Sequence, residues 1–466
     1  MTSAVSRLLI DHKDQRQGKT YGALIKTAFA VGVVQGVIVF SVIALCAPAM
    51  ADVLKVPPGY AAMFVTLLRI QGGVSAFGFA VRPFSLVLTA HQRMDLCSYG
   101  DIFFLLSSLG WLWFFLFKGL GVFSFVYATA ISTVLVPIYL AIECKNLKLF
   151  PHAGEWGKIT GKLFREVFSY GKDVFLIAVG TQMILASQTL IVSRRFGLDA
   201  AATWAVGTKV FNLLGQLAWR LIAVSMPALA EMITRAERQR LAMRFHGLVA
   251  VTASFSAFLG ISLALCNSVF VNIWTAGKIS WLPLNDVLLG SWLCLLSLQG
   301  IHNNLVIATK QIRMLRYVYF LEGCTFLAVT ILVGSRFGMP GIIATSIFCT
   351  TAFSLSYGIW RSSHYFGRSW STVAFNWTSP GITVAAAFGA IAAVVWNITN
   401  WLPPVPRLVI NASIAIVGGG FLLLRVGVPR EMRQELATRS PRAASQLLRY
   451  LAPYDQQSDR VPTPLP

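Results

Sequence analysis

The hexapeptide TAHQRM, Thr89 to Met94, stands between two long apolar runs and is echoed by TKQIRM, Thr309 to Met314. Gln92, Arg93 and Met94 reappear as Gln311, Arg313 and Met314, and Arg93 and Met94 do so 220 positions later (94 to 314). The same frame carries ALC at 44–46 onto ALC at 264–266, and Phe117 and Gly121 onto Phe337 and Gly341. It also superimposes four apolar stretches, 24–48, 60–88, 99–117 and 119–142, on 245–272, 284–308, 316–334 and 338–360. An internal duplication follows. Corresponding stretches keep the same direction through a bilayer, so the halves are expected to be parallel repeats about an axis along the membrane normal.

The composition requires the bilayer. Hydrophobic residues fill 56% of 466 positions and charged residues 12%, with a mean hydropathy of +0.66, more apolar than a water-soluble fold of this size needs. Four further stretches, 169–193, 202–229, 375–398 and 407–426, bring to twelve those able to cross about 30 Å of hydrocarbon. The formal charge of +21 is dispersed singly or in small groups through the links, which speaks against nucleic acid and for a topology signal. Arg93, the 145–165 group, the 235–244 group, Lys310 to Arg316, and Arg361 with Arg368 fall in every second link, and most of these links are richer in cations than the others. Both termini are therefore expected in the cytoplasm. The seven cysteines show no ligand-like spacing and no cofactor is expected.

The second half starts with two stretches, 169–193 and 202–229, that have no counterpart in the first. AVSRLLIDH from Ala4 resembles AVSMPALAE from Ala223, the end of the second of them, so the first lobe is expected to lack its first two helices. The expected division is a four-helix lobe over 1–150, a basic cytoplasmic linker over 151–168, a six-helix lobe over 169–365, two additional helices over 366–426, and a basic, largely disordered tail over 427–466.

LVLTAHQRMDLCSYGD, GTQMILASQTLIVSRRFGLDAAATWAVGTKVFNLLGQL and the small-residue link FKGLGVFSFVYATAIS resemble the superfamily of multidrug, oligosaccharidyl-lipid and polysaccharide flippases, most closely its polysaccharide-exporter branch. The resemblance covers roughly residues 5–425. It implies an all-α polytopic membrane protein with two lobes, a cavity between them, and alternating access in a plasma membrane.

Ionisable groups within spans are candidates for function. Lys209, Asn212, Gln216 and Arg220 fall within roughly 80° of arc at about 100° per residue, with the two cations about 16 Å apart along the axis. Two cations and two amides suit a phosphate-bearing head group; the plainer alternative is helix–helix hydrogen bonding with Lys209 reaching the interface. Arg69 and Arg82 on the 60–88 stretch would assist from the other lobe, Arg82 aligning with His302. Gln188 and Thr181 share a face and either line the cavity or join helices. Arg93 and Arg313 are expected at a hinge-like turn, and Asp101 and Glu322 in ion pairs with it rather than in proton coupling.

The expected function is export or flipping of a lipid-linked oligosaccharide or polysaccharide precursor. Its partners would be that lipid-linked saccharide, membrane lipids and other polysaccharide-assembly membrane proteins, with no nucleic acid. The alternatives are a cation antiporter of the multidrug and toxin extrusion type, which would need buried carboxylates, and a non-transporting remnant or partner protein. No paired carboxylates, histidine cluster or nucleophile–base set appears in the short outward links, so an enzyme is not expected.

Overall fold

The computed structural model describes residues 18–430 except 153 and 310, together with Val5, Leu8, Leu9, His12, Met432 and Arg433. The tail expected over 427–466 lies outside the described residues from 434 onward. Twelve helices among the described residues are long and apolar enough to cross a membrane. Large apolar side chains cover their exposed faces, Leu45 (80%), Phe117 (79%) and Val417 (72%) among them. In water such a surface would aggregate; in lipid it is the required exterior.

The chain divides into two compact units, Met1–Leu176 and Ile177–Pro466. In the first, α1 (Lys19–Val53) and α2 (Pro58–Val81) pack face to face, followed by α3 (Pro83–Ala90), α4 (Met94–Phe117) and α5 (Phe123–Asn146). Helix α1 is about 52 Å long at about 1.5 Å per residue, so it outruns the expected 24–48 stretch at both ends. Gly32 and Gly36 let α1 lie on α2: a Cβ at either would come within 2.5 Å of a carbonyl oxygen, of Phe79 and Ala76 respectively. Tyr21, buried at the start of α1, hydrogen-bonds through its hydroxyl to His91 Nε2 (3.0 Å) and Leu149 O (3.3 Å). One aromatic ring thus joins α1 to the links after α3 and α5.

Helix α6 (Gly161–Leu185) contains the boundary between the units. The second half of the expected 151–168 linker is therefore the start of a helix. The second unit continues with α7 (Ser187–Phe196), α8 (Leu198–Gly207), α9 (Lys209–Thr234), α10 (Arg238–Trp274), α11 (Pro283–Ala308), α12 (Leu315–Val329), α13 (Ser335–Thr350), α14 (Ser356–Phe366), α15 (Ser379–Thr399) and α16 (Pro404–Ile414). Its core centres on Trp292, Leu289, Leu263, Phe326, Ile342 and Ile343, with Phe211 stacked on Trp292 at 5.3 Å. The additional helices belong to this unit: Gly381 of α15 abuts Ala253, and Asn411 of α16 donates to Leu265 O at 2.9 Å.

Helix ends reproduce the repeat. Helix α1 closes with Lys55 at φ +54°, its N–H on Asp52 O and the Val56 N–H on Ala51 O. Helix α10 closes alike, with Ala276 at φ +50°, its N–H on Ile273 O and the Gly277 N–H on Asn272 O. The ends of α5 and α14 match too, at Lys148 (φ +51°) and Gly367 (φ +62°). Each is a left-handed cap that satisfies the last carbonyls of its helix. TAHQRM is one more: Gln92 (φ +59°) donates to Thr89 O and Arg93 N–H to Leu88 O. In the second turn the Gln311 N–H bonds Val306 O at 3.4 Å, the role that Arg93 fills in the first, so the two glutamines hold successive cap positions.

Candidate functional site

The expected 202–229 span is not one helix. Thr208 (φ −89°, ψ 0°) ends α8 and precedes α9, which begins at Lys209. The stripe therefore lies on a single helix. Phe211, Ala218, Ile222 and Leu229 are buried on α9, within roughly 180–220° around its axis when Lys209 is taken as zero. Lys209, Asn212, Gln216 and Arg220 are exposed on the opposite side. Leu213 (57%), Leu217 (47%) and Val224 (72%) are exposed as well, at roughly 40–80°, beside the polar stripe. This helix presents a polar strip flanked by an apolar one. Lys209, Asn212 and Gln216 make no side-chain hydrogen bond among the described residues, so the amides do not tie α9 to a neighbour.

Gln188 behaves differently. Its side chain is buried (5%) and donates from Nε2 to Ser346 Oγ of α13 at 3.0 Å. That is a tie between helices, the second of the two readings the sequence leaves open for it. Thr181 hydroxyl returns to Ile177 O within its own helix. In the first unit, Arg69 is exposed on α2, and Arg82 is exposed where α2 meets α3, beside a cleft of about 20 Å³ with room for no more than a water. His302, its counterpart in the repeat frame, is fully buried and bonded through Nδ1 to Ser362 Oγ at 2.9 Å. The aligned positions thus differ in environment, one exposed and one buried.

Arg93 is held by Asp95, with Nε on Oδ1 at 3.0 Å and Nη2 on Oδ2 at 2.9 Å. Those hydrogen bonds raise the Arg93 pKa further above its ordinary value. Glu322 does not pair with the basic turn. It is 1% exposed, near Ser354 and Thr350, and its Oε2 has no hydrogen-bond partner. Around it, Gln299 and Asn303 both donate to the Tyr319 hydroxyl (3.1 and 3.0 Å), and also to Ser354 Oγ (2.8 Å) and Ser354 O (3.2 Å). Ser354 lies in the wide turn Thr351–Leu355.

Two features escaped the sequence reading. One is Asp286 in the first turn of α11, an ordinary place for an acid; the structure buries it completely. The other is a cavity of about 880 Å³ beside the first turns of α1, lined by His12, Lys19, Lys26, Trp156 and Lys158 among others. Its cations come from segments over 100 residues apart. Among the described residues no group of three or more His, Cys, Asp or Glu is placed to hold a metal ion.

Residues 1–283 match the family model described as polysaccharide biosynthesis protein. The chain belongs to that family. No curated protein matches this member's sequence. Solved structures show its fold. The lipid II flippase MurJ in an inward closed conformation aligns with a TM-score of 0.61 at 12% identity, over 90% of this chain and 88% of that one. An inward-facing multidrug resistance MATE family transporter of the MOP superfamily aligns with a TM-score of 0.61 at 11% identity, over 79% and 87%. A MATE structure in the bent conformation aligns with a TM-score of 0.58 at 11% identity, over 80% and 83%. This family member is a multi-pass, all-α membrane protein with the fold those transporters and that flippase share.

Proposed function

We propose that the protein is a flippase-type exporter that carries a lipid-diphosphate-linked saccharide across a plasma membrane by alternating access, with both termini in the cytoplasm. The exposed face of α9 carries this reading. Lys209 and Arg220 attract the anionic head, Asn212 and Gln216 bond its phosphate or sugar oxygens, and the flanking Leu213, Leu217 and Val224 accept the apolar neighbourhood of the lipid. Arg69 and Arg82 are further exposed cations, on the first unit. Family membership and the fold shared with a lipid II flippase support the same cargo class. Partners in this reading are the lipid-linked saccharide, surrounding lipids and other membrane proteins of polysaccharide assembly. No enzymatic step is assigned to the chain. An organic-cation exporter would line its cavity with carboxylates, whereas the exposed stripe from Lys209 to Arg220 on α9 carries two cations and two amides.

The test is binding of a polyprenyl diphosphate to purified protein, wild type against the Lys209→Gln/Arg220→Gln double variant, at low and moderate salt. A saturable, salt-sensitive signal that falls at least tenfold in the double variant, with folding intact, is expected. Equal binding by both proteins would reduce the stripe to surface.

A further inference from the structure

Within the first unit, the start of α1 and the strap of chain before α6 enclose the cavity of about 880 Å³. Lys19, Ala23 and Lys26 line it from α1; at positions i, i+4 and i+7 they share one face of the helix. The two lysines are about 10.5 Å apart along its axis. Strap residues Gly154, Trp156, Gly157, Lys158 and Thr160 line it too. The strap is seated closely on α1. A Cβ at Gly22 would come within 2.6 Å of Trp156 Cα, and one at Gly157 (φ +51°) would collide with Lys19 O. Lys26 Nζ donates to Gly157 O at 3.1 Å and stands over the Trp156 ring, 5.9 Å from its centroid. Packing of Gly157 on Lys19 thus brings Lys158, its neighbour in the chain, to the same end of the cavity as Lys19.

Among the described residues that line this cavity, Lys19, Lys26 and Lys158 are cationic, His12 stands with them, and none is a carboxylate. Glu155 on the strap is half-buried and outside the lining. Lys19 and Lys158 make no ion pair or side-chain hydrogen bond among the described residues, and Lys26 has committed one of its three donors. Like charges around one hollow repel, and an anion between them turns the repulsion into attraction. The rest of the wall is apolar, with Leu8, Ala23, Leu24 and Leu163. The apolar stretch of α1 begins at Leu24, so Lys19 precedes the hydrocarbon and Lys26 enters it, while the Trp156 indole suits the boundary between them. Pockets of about 300–1,000 Å³ hold organic ligands, far larger than a lone phosphate.

We propose that this cavity binds the anionic phosphodiester head group of a membrane phospholipid in the leaflet where α1 begins. Lys19 and Lys158 hold the phosphate as point charges, Lys26 reaches its ester oxygens, and the glycerol and first methylenes lie against Ala23, Leu24 and Leu163. Lipid in this place fastens the strap to α1. The site is separate from the α9 stripe and stands or falls independently of the proposed cargo.

The experiment is equilibrium binding of ³²P-labelled phosphatidylglycerol to purified full-length protein in mixed micelles with excess phosphatidylcholine. Saturable binding by wild type is expected, weakened about tenfold or more in Lys19→Gln/Lys158→Gln. Lys145→Gln/Lys148→Gln removes the same charge from exposed residues of the same unit outside the cavity and should bind like wild type. Soluble glycerol phosphate should not displace the lipid at equal concentration, and polyprenyl diphosphate binding should survive Lys19→Gln/Lys158→Gln. Absence of saturable binding over phosphatidylcholine, or an equal loss in both double variants, would overturn the site. Displacement by glycerol phosphate would assign the cavity to a soluble phosphate ester instead, and loss of polyprenyl diphosphate binding with Lys19 and Lys158 would assign it to the cargo; either result refutes the phospholipid.

Discussion

Replacing Gly290 with alanine puts a methyl group into the closest approach between α10 and α11. The added Cβ would lie 2.4 Å from Gly260 O, 2.9 Å from its carbonyl carbon and 3.2 Å from its Cα. Ordinary contact begins at about 3.5 Å, so the helices must part by about 1 Å. Leu289, Trp292 and Leu263, all essentially buried on these two helices, then lose dispersion contacts. Overpacking of this kind costs about 1–3 kcal/mol. Alanine also returns about 1 kcal/mol of helix propensity relative to glycine, so the informative quantity is the difference from a glycine with space around it. Gly110 on α4 has nothing within 4 Å of a built Cβ. In one detergent, with the folded fraction read by size-exclusion after heating, Gly110→Ala should melt at or above wild type and Gly290→Ala below it. The gap between them should correspond to about 1–3 kcal/mol. A Gly260→Ala/Gly290→Ala double variant should lose less than the sum of its singles, because one separation of the helices relieves both clashes. Melting of Gly290→Ala at or above Gly110→Ala would refute the close approach.

Gln188→Leu and Ser346→Ala, combined in a double-mutant cycle, should show a stability coupling of about 0.6 kcal/mol and no more than about 1.7, with lipid-diphosphate binding unchanged. Tenfold weaker binding with no coupling would return Gln188 to the ligand site. Tyr319→Phe removes the acceptor shared by Gln299 and Asn303 and should destabilise by about 1–3 kcal/mol in the same melting assay; an unchanged melting curve would show that Ser354 alone satisfies both amides.

The twelve spans were legible because hydropathy integrates over some twenty residues and tolerates local error. Their ends were less so. Helices α1 and α10 continue past the apolar stretch because nothing in KTYGAL or RQRLAM stops a helix once it projects beyond the lipid. The break at Thr208 and the wide turn at Thr351–Leu355 carry no proline and little glycine to announce them. Similarly, Gly338 (φ +64°) separates the fifth and sixth spans of the second lobe. The duplicated caps were visible only as TAHQRM and TKQIRM, although Lys55 and Ala276 hold the same conformation without sharing a residue type.

Amid the polar residues of the spans, the sequence alone determined which positions share a helical face: Lys209, Asn212, Gln216 and Arg220 form one stripe by spacing, and the structure keeps them on α9. It could not determine which face is packed. Gln188 is buried because Ser346, 158 residues away, stands opposite it. Glu322 is buried because α12 lies against the wide turn after α13, and Asp286 because Trp281 folds back over it. Periodicity is a property of one helix, whereas burial is a property of two helices that meet. Hence hydropathy and spacing fix the number, order and faces of the helices, and only their packing decides which polar groups are ties, which stay exposed, and which are buried.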